Sequence, residues 1–233
     1  MFWYFDPLYL VFALPALLFA FYAQYKVQSA YNRYTRVANS LGITGWEAAQ
    51  RLLRSGGLYH VQLDRTPGHL TDHYDPRSKS LRLSDGVARV PSVASLAIVA
   101  HEVGHALQDK EGYALLRLRG SLVPVVNLGS WLGPILFVIG FFFLGNYTLA
   151  WLGVIFFSGA FLFALVTLPV ELNASSRAIA LLRSTGLIVS PAEEKGARAV
   201  LTAAALTYVA AVAQALSTML YYIFLLSGSR RRD

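Results

Sequence analysis

The chain has 233 residues, 55% of them hydrophobic and 14% charged, with a mean hydropathy of +0.47 and a formal net charge of +7. That balance excludes an ordinary soluble domain and points to an integral membrane protein, while the absence of cysteine excludes disulfides and any thiolate metal site. The positive charge calls for no nucleic-acid partner, because basic residues beside apolar spans set topology and meet the anionic headgroups of a lipid bilayer.

No charged side chain occurs between Asp6 and Lys26, so segment 1–24 holds a first transmembrane helix near residues 7–24. It reads as a retained anchor, since nothing basic precedes it and no A-x-A site follows. Residues 25–120 carry most of the polar character and form a small water-facing domain. Within it, Thr44-Gly45-Trp46-Glu47 fits a capping box, Ala48, Ala49, Leu52 and Leu53 give an apolar face, and Gly56-Gly57 ends the helix. From Tyr59 to Val87 the pattern changes to two or three short strands, broken at Pro67-Gly68 and Asp75-Pro76. The strand Leu81-Arg82-Leu83-Ser84 is the one expected to accept an extended substrate by edge addition. Val93 to Ala100 is apolar nearly all round, as in a buried helix, and runs directly into His101-Glu102-Val103-Gly104-His105.

The uncharged run from Gly120 through Val170 is 51 residues long, too long for one crossing and right for two. Residues 121–170 therefore form a transmembrane hairpin, with spans near 122–144 and 148–170 and a turn at Gly145-Asn146. Residues 171–198 follow as a helix and linker in which Ser190-Pro191-Ala192-Glu193 is a second capping box. Segment 199–233 holds the last apolar helix, near 200–226, and the basic tail Arg230-Arg231-Arg232. Four spans place 17 Lys and Arg on the face of 25–120 and 171–198 against three in the tail, so the larger face is cytoplasmic at the cell (plasma or inner) membrane. The tail then falls on the opposite face: either it is a tolerated exception or the last apolar segment is re-entrant.

Two histidines at i and i+4 project from one helix face, so His101 and His105 can bind one metal ion without distorting the backbone. Glu102 lies between them and can reach a water at that ion, which suits a general base; Gly104 is expected to leave room beside the metal. A catalytic zinc needs a third protein donor, here necessarily nitrogen or oxygen. Glu171 fits best, because it follows the uncharged run at a depth where a lone carboxylate is costly, and the hairpin returns it to the face of the histidines. His60, His69 and His73 remain alternative donors. A buried, hydrogen-bonded histidine pair is the competing explanation for the motif, and an interfacial charge or a partner for Arg177 the competing one for Glu171. Arg177, Tyr74 or His73 could stabilise an oxyanion.

Four segments carry a family resemblance: Gly68 to Pro76, Leu83-Ser84, Ala100 to Gln108, and Pro169 to Ala178. They resemble the bacterial membrane-embedded neutral zinc metallopeptidases, gluzincin-type enzymes distantly similar to the membrane heat-shock and CAAX-prenyl endopeptidases, and the likeness covers most of the chain. The resemblance implies one Zn2+ per chain on His101, His105 and Glu171, with Glu102 as catalytic base. In the better-known relatives an aspartate stands four residues after the third ligand. Here that position is Ser175, whose hydroxyl accepts a weaker hydrogen bond from a ligand imidazole.

The expectation is thus a mainly α, multi-pass helical membrane protein of about four transmembrane helices, with a small α+β zincin-like metallopeptidase domain. Its function would be zinc-dependent endopeptidase cleavage of peptide or protein substrates, membrane proteins among them. The rival reading is a metal-binding membrane adaptor or assembly factor without hydrolase activity. A transporter or channel is disfavoured, because the spans carry no interior charge to form an ion pathway.

Overall fold

The computed structural model describes residues 7–229 and is mainly helical, with one small sheet; the basic tail Arg230-Arg231-Arg232 lies outside the described residues. It divides into two compact units. One draws on the chain up to Ala23, on Arg117–Pro169 and on the chain from Thr207 onward; the other comprises Gln24–Leu116 and Val170–Leu206.

Among the described residues, four helical stretches are long and apolar enough to cross a membrane. They are α1 (Pro7–Thr35), α5 (Ala114–Val138) with a π-helical turn (Ile139–Phe143), α6 (Tyr147–Ser184) and α7 (Pro191–Ser229). Each expected span is represented, but the helices overrun the apolar windows because the flanking sequence turns polar without turning into a helix breaker. Pro169 removes one backbone bond from α6 without ending it, so Glu171 stands inside the same helix as the third span. The last apolar segment is likewise one uninterrupted helix, lacking the break that a re-entrant segment needs. Gly145, at φ +58°, makes the hairpin turn between α5 and α6. The two helices then cross so closely that a Cβ on Gly153 would lie 2.5 Å from the Phe137 nitrogen and 2.6 Å from the Gly133 carbonyl oxygen. Phe137 is buried beside this crossing, its ring stacked 4.0 Å from that of Tyr222.

The second unit holds a three-stranded sheet in the order β1-β3-β2. β1 (Gln62–Thr66) runs parallel to β3 (Ser80–Ser84), and β2 (His73–Asp75) runs antiparallel to it. The strand expected to receive substrate is therefore the central one: β3 is paired on both sides and has no open edge to offer. Its buried Leu81 and Leu83 also explain why it sits centrally. The turns at Asp72 and Asp75 are structural. Asp72 accepts hydrogen bonds from the Ser84 backbone N–H (2.7 Å) and hydroxyl, and Asp75 accepts them from the Arg77 N–H and Ser78 hydroxyl.

Helix α2 (Gly45–Ser55) opens with the reciprocal capping box read from Thr44 and Glu47. After the short α3 (Asp85–Ala88), Ser92 caps α4 (Val93–Lys110) by accepting from the Ser95 N–H. Almost every residue of α4 from Val93 to Ala106 is buried, against α2, the sheet and Ala178, Leu182, Ala197 and Leu201 of α6 and α7. Glu193 caps α7 as its motif suggests, accepting from the Val189 and Ser190 N–H groups, and also takes the Ser40 N–H at 2.6 Å, tying the segment after α1 to the start of α7.

Overpacking a tight helix crossing destabilises by about 1–3 kcal/mol. Gly153→Ala should therefore lower the thermal unfolding temperature in detergent. Gly159→Ala, where an added Cβ meets nothing within 4 Å, should leave it unchanged or raise it.

Candidate metal centre

Helix α4 presents His101 and His105 one turn apart on the same face, with ring centroids 4.7 Å apart and planes at 88°. Opposite them α6 supplies Glu171, only 2% exposed. One carboxylate oxygen, Oε2, lies 3.1 Å from His101 Nε2 and 3.4 Å from His105 Nε2. All three donor atoms fall within 4.8 Å of one another. A tetrahedral ion with bonds of about 2.0–2.1 Å holds its donors about 3.3 Å apart, so these residues fit such an ion with little movement. Gly104 makes the approach of the two helices feasible. A Cβ there would stand 2.7 Å from the Ala174 carbonyl oxygen, so the space it leaves is taken by the α6 backbone rather than kept beside a metal.

The hydrogen-bond network fixes which nitrogen of His105 is free. Gln108 is fully buried, and its amide nitrogen donates to the Val170 carbonyl (2.8 Å) and to Asn173 Oδ1 (2.9 Å). A carbonyl oxygen can only accept, so the Gln108 oxygen is the atom facing His105 Nδ1 at 3.0 Å. Nδ1 must then carry a proton, so Nε2 is the nitrogen turned toward Glu171, where it shares a proton with the carboxylate in the metal-free fold and is the atom a metal would take. On His101 the corresponding Nδ1 contact is the Ser175 hydroxyl at 3.2 Å. Asn173 Oδ1 accepts a second hydrogen bond from Arg177 Nε (2.7 Å), and Arg177 reaches Glu111 at 2.7 Å. The guanidinium is therefore engaged in joining α6 to the end of α4.

Glu102 lies beside the donor group on the sheet side, where its Oε2 accepts the Tyr74 backbone N–H at 2.9 Å. Burial pushes its carboxyl pKa up, against the opposing influence of His101, His105 and the Tyr74 N–H. Burial lowers the pKa of the His105 imidazole, but the hydrogen bond to Glu171 and the Glu102 charge raise it by more, so the net shift is upward. The Tyr74 hydroxyl donates to Asp109 (2.6 Å), which also takes Lys79 at 2.5 Å, anchoring β2 to the last turns of α4. His73 Nδ1 meets the Thr71 carbonyl at 2.8 Å, His69 stands edge-on to Tyr31 and His60 is exposed; among the described residues the three-donor group consists of His101, His105 and Glu171. Sequence reasoning gave no role to Gln108, Asn173 or the Tyr74 N–H. Gln108 had a legible signal: a large amide three residues after His105 and hence on its face. Nothing in the sequence marks a backbone N–H as the partner of Glu102.

A family profile described as "Putative neutral zinc metallopeptidase" matches residues 9–227. The chain is also 45% identical over 223 residues to "Putative membrane protease YugP" of Bacillus subtilis (strain 168), an alignment covering 96% of this chain and 98% of that relative. No solved structure gives a significant match.

Removing the Gln108 amide strands the buried Nδ1–H of His105. Gln108→Met should lower the stability of the metal-free protein by about 1–3 kcal/mol, read from chemical denaturation. An unchanged midpoint would mean that the bridge between α4 and α6 contributes nothing.

Proposed function

Because the chain belongs to the neutral zinc metallopeptidase family, we propose that it is a membrane-bound zinc-dependent metalloendopeptidase, with one Zn2+ held by His101, His105 and Glu171 and Glu102 as general base. The observation that carries this reading is the convergence of three donors within 4.8 Å of one another, Glu171 standing 3.1 and 3.4 Å from the two imidazole nitrogens, with a second carboxylate alongside. When bound, zinc supplies a Lewis acid that lowers the pKa of a water toward about 7 and polarises the scissile carbonyl. Glu102 takes the proton released as the water oxygen bonds to the carbonyl carbon, then delivers it to the amine nitrogen as the C–N bond breaks, giving a carboxylic acid and an amine. The Tyr74 N–H steadies Oε2 of that carboxylate, leaving Oε1 for the proton. Gln108 and Ser175 orient the two imidazoles so that their Nε2 atoms face inward. An extended substrate segment has the open edge of β2, beside Glu102, to lie along in place of β3, although the Tyr74 N–H on that edge is already given to Glu102.

Family and candidate spans support peptide or protein substrates near the bilayer, and the excess of Lys and Arg between the spans favours a cytoplasmic orientation of this face at the cell membrane. The chain has no cysteine, which makes orientation directly testable. Tyr59→Cys, at a position 82% exposed, should react with a membrane-impermeant maleimide only after cells are opened. Labelling of intact cells would reverse the topology.

Glu102→Gln should keep one zinc per chain while slowing cleavage of an unfolded protein by roughly 10²–10⁴-fold. Equal rates for variant and wild type would favour the adaptor reading. Because the His105 pKa is raised in the metal-free fold, zinc must displace a proton held somewhat above the ordinary histidine range. Zinc affinity should therefore be full on the alkaline side of that value and fall about tenfold per pH unit and displaced proton below it, as measured by chelator competition. A flat profile across the histidine range would rule out imidazole ligands.

A further inference from the structure

Away from the metal centre, the polar end of α1 and the first turns of α7 face each other across a groove of about 360 Å³ within the second unit. We propose that this groove is a binding site for the phosphate of an anionic phospholipid. Four cations line it, Lys26 and Arg33 from α1 and Lys195 and Arg198 from α7, and no carboxylate does. Arg198 is partly neutralised by Glu194 at 2.8 Å, and Arg33 lies over the Tyr34 ring at 5.4 Å. Lys26, Arg33 and Lys195 have no acidic partner among the described residues. The hydroxyls of Ser29, Tyr34 and Thr202 add donors suited to phosphate oxygens.

The groove is built into the fold. Its α1 residues recur at i, i+3, i+4, i+7 and i+8, and its α7 residues repeat the same pattern, so each helix offers one continuous stripe. The stripes are held in register where Tyr34 packs on Gly196, at which a Cβ would come within 2.7 Å of the ring.

An amphiphile fits better than a free anion because the apolar part of the lining, Ala199, Ala203 and Leu206, continues along α7 into its uncharged run, and Lys26 is the first charge after the uncharged run of α1. The cations thus stand beside the end of each helix's uncharged run, where a headgroup phosphate is expected, with Ala199, Ala203 and Leu206 as the apolar side of the same groove.

The test uses full-length protein in neutral detergent, titrated with phosphatidylglycerol, phosphatidylcholine or inorganic phosphate, with bound ligand counted by native mass spectrometry. Wild type should retain one phosphatidylglycerol at least about tenfold more tightly than phosphatidylcholine. The triple variant Lys26→Gln/Arg33→Gln/Lys195→Gln should lose that preference. Two controls should keep it: the charge-matched Arg51→Gln/Arg54→Gln/Arg77→Gln, and the conservative Lys195→Arg. Equal retention of the two lipids by wild type, or equal weakening in the groove and control triples, would overturn the site. Displacement of the lipid by an equal concentration of inorganic phosphate would overturn the lipid and leave a soluble phosphate as the ligand.

Discussion

The arrangement depends on an acidic group, Glu171, held almost out of reach of water between two imidazoles. An isolated carboxylate in such a place is strongly disfavoured, so the fold has to bring compensating groups to it from another part of the chain. They arrive on α4, 66 residues earlier in sequence than the acid as counted from His105. Much of the local architecture follows from that requirement. Gly104 lets the α6 backbone come within contact distance, and Gln108 spans the seam with hydrogen bonds to both helices. The apolar surface of α4 is packed from several sides, so the histidines have little freedom to move away.

Much of this was legible in the residues themselves. Long uncharged runs gave four membrane-length helices because burying backbone in lipid leaves few alternatives to a helix, and the capping residues Thr44 and Glu193 act as their motifs say. The pairing of His101 with His105 follows from helical periodicity alone. Glu171 was reachable through topology, since two crossings bring the chain back to the side it left. What stayed hidden depends on tertiary neighbours. Leu81-Arg82-Leu83-Ser84 alternates as a half-exposed strand would, yet it is central, because edge or centre is decided by partners 18 residues away in β1 and five to nine away in β2, and not by the strand's own pattern. Gly104 beside a histidine pair suggests room for an ion, whereas the atom it accommodates belongs to a distant helix. Helices α6 and α7 extend beyond their apolar runs for a simpler reason: hydropathy marks where a helix leaves lipid, not where it stops being a helix.

The continuity of α6 has mechanical weight. Past Pro169, the stretch bearing Glu171, Asn173, Ser175 and Arg177 is one helical rod that runs without a break to Ser184. Side chains at successive i+2 and i+4 positions then serve different partners: His101 takes Ser175, Gln108 takes Asn173 and Glu111 takes Arg177. A small rotation of the rod would disturb all three pairs together, which makes the register of α6 against α4 a single cooperative setting.

The neutrality of Gln108 and Ser175 has an electronic consequence. Carboxylates in these positions would push negative charge through the rings and strengthen each imidazole as a base. An amide and a hydroxyl push much less, so both rings remain comparatively electron-poor. On the proposed reading, a cation resting on such rings is less damped in its pull on an incoming carbonyl, and it is also easier to strip away.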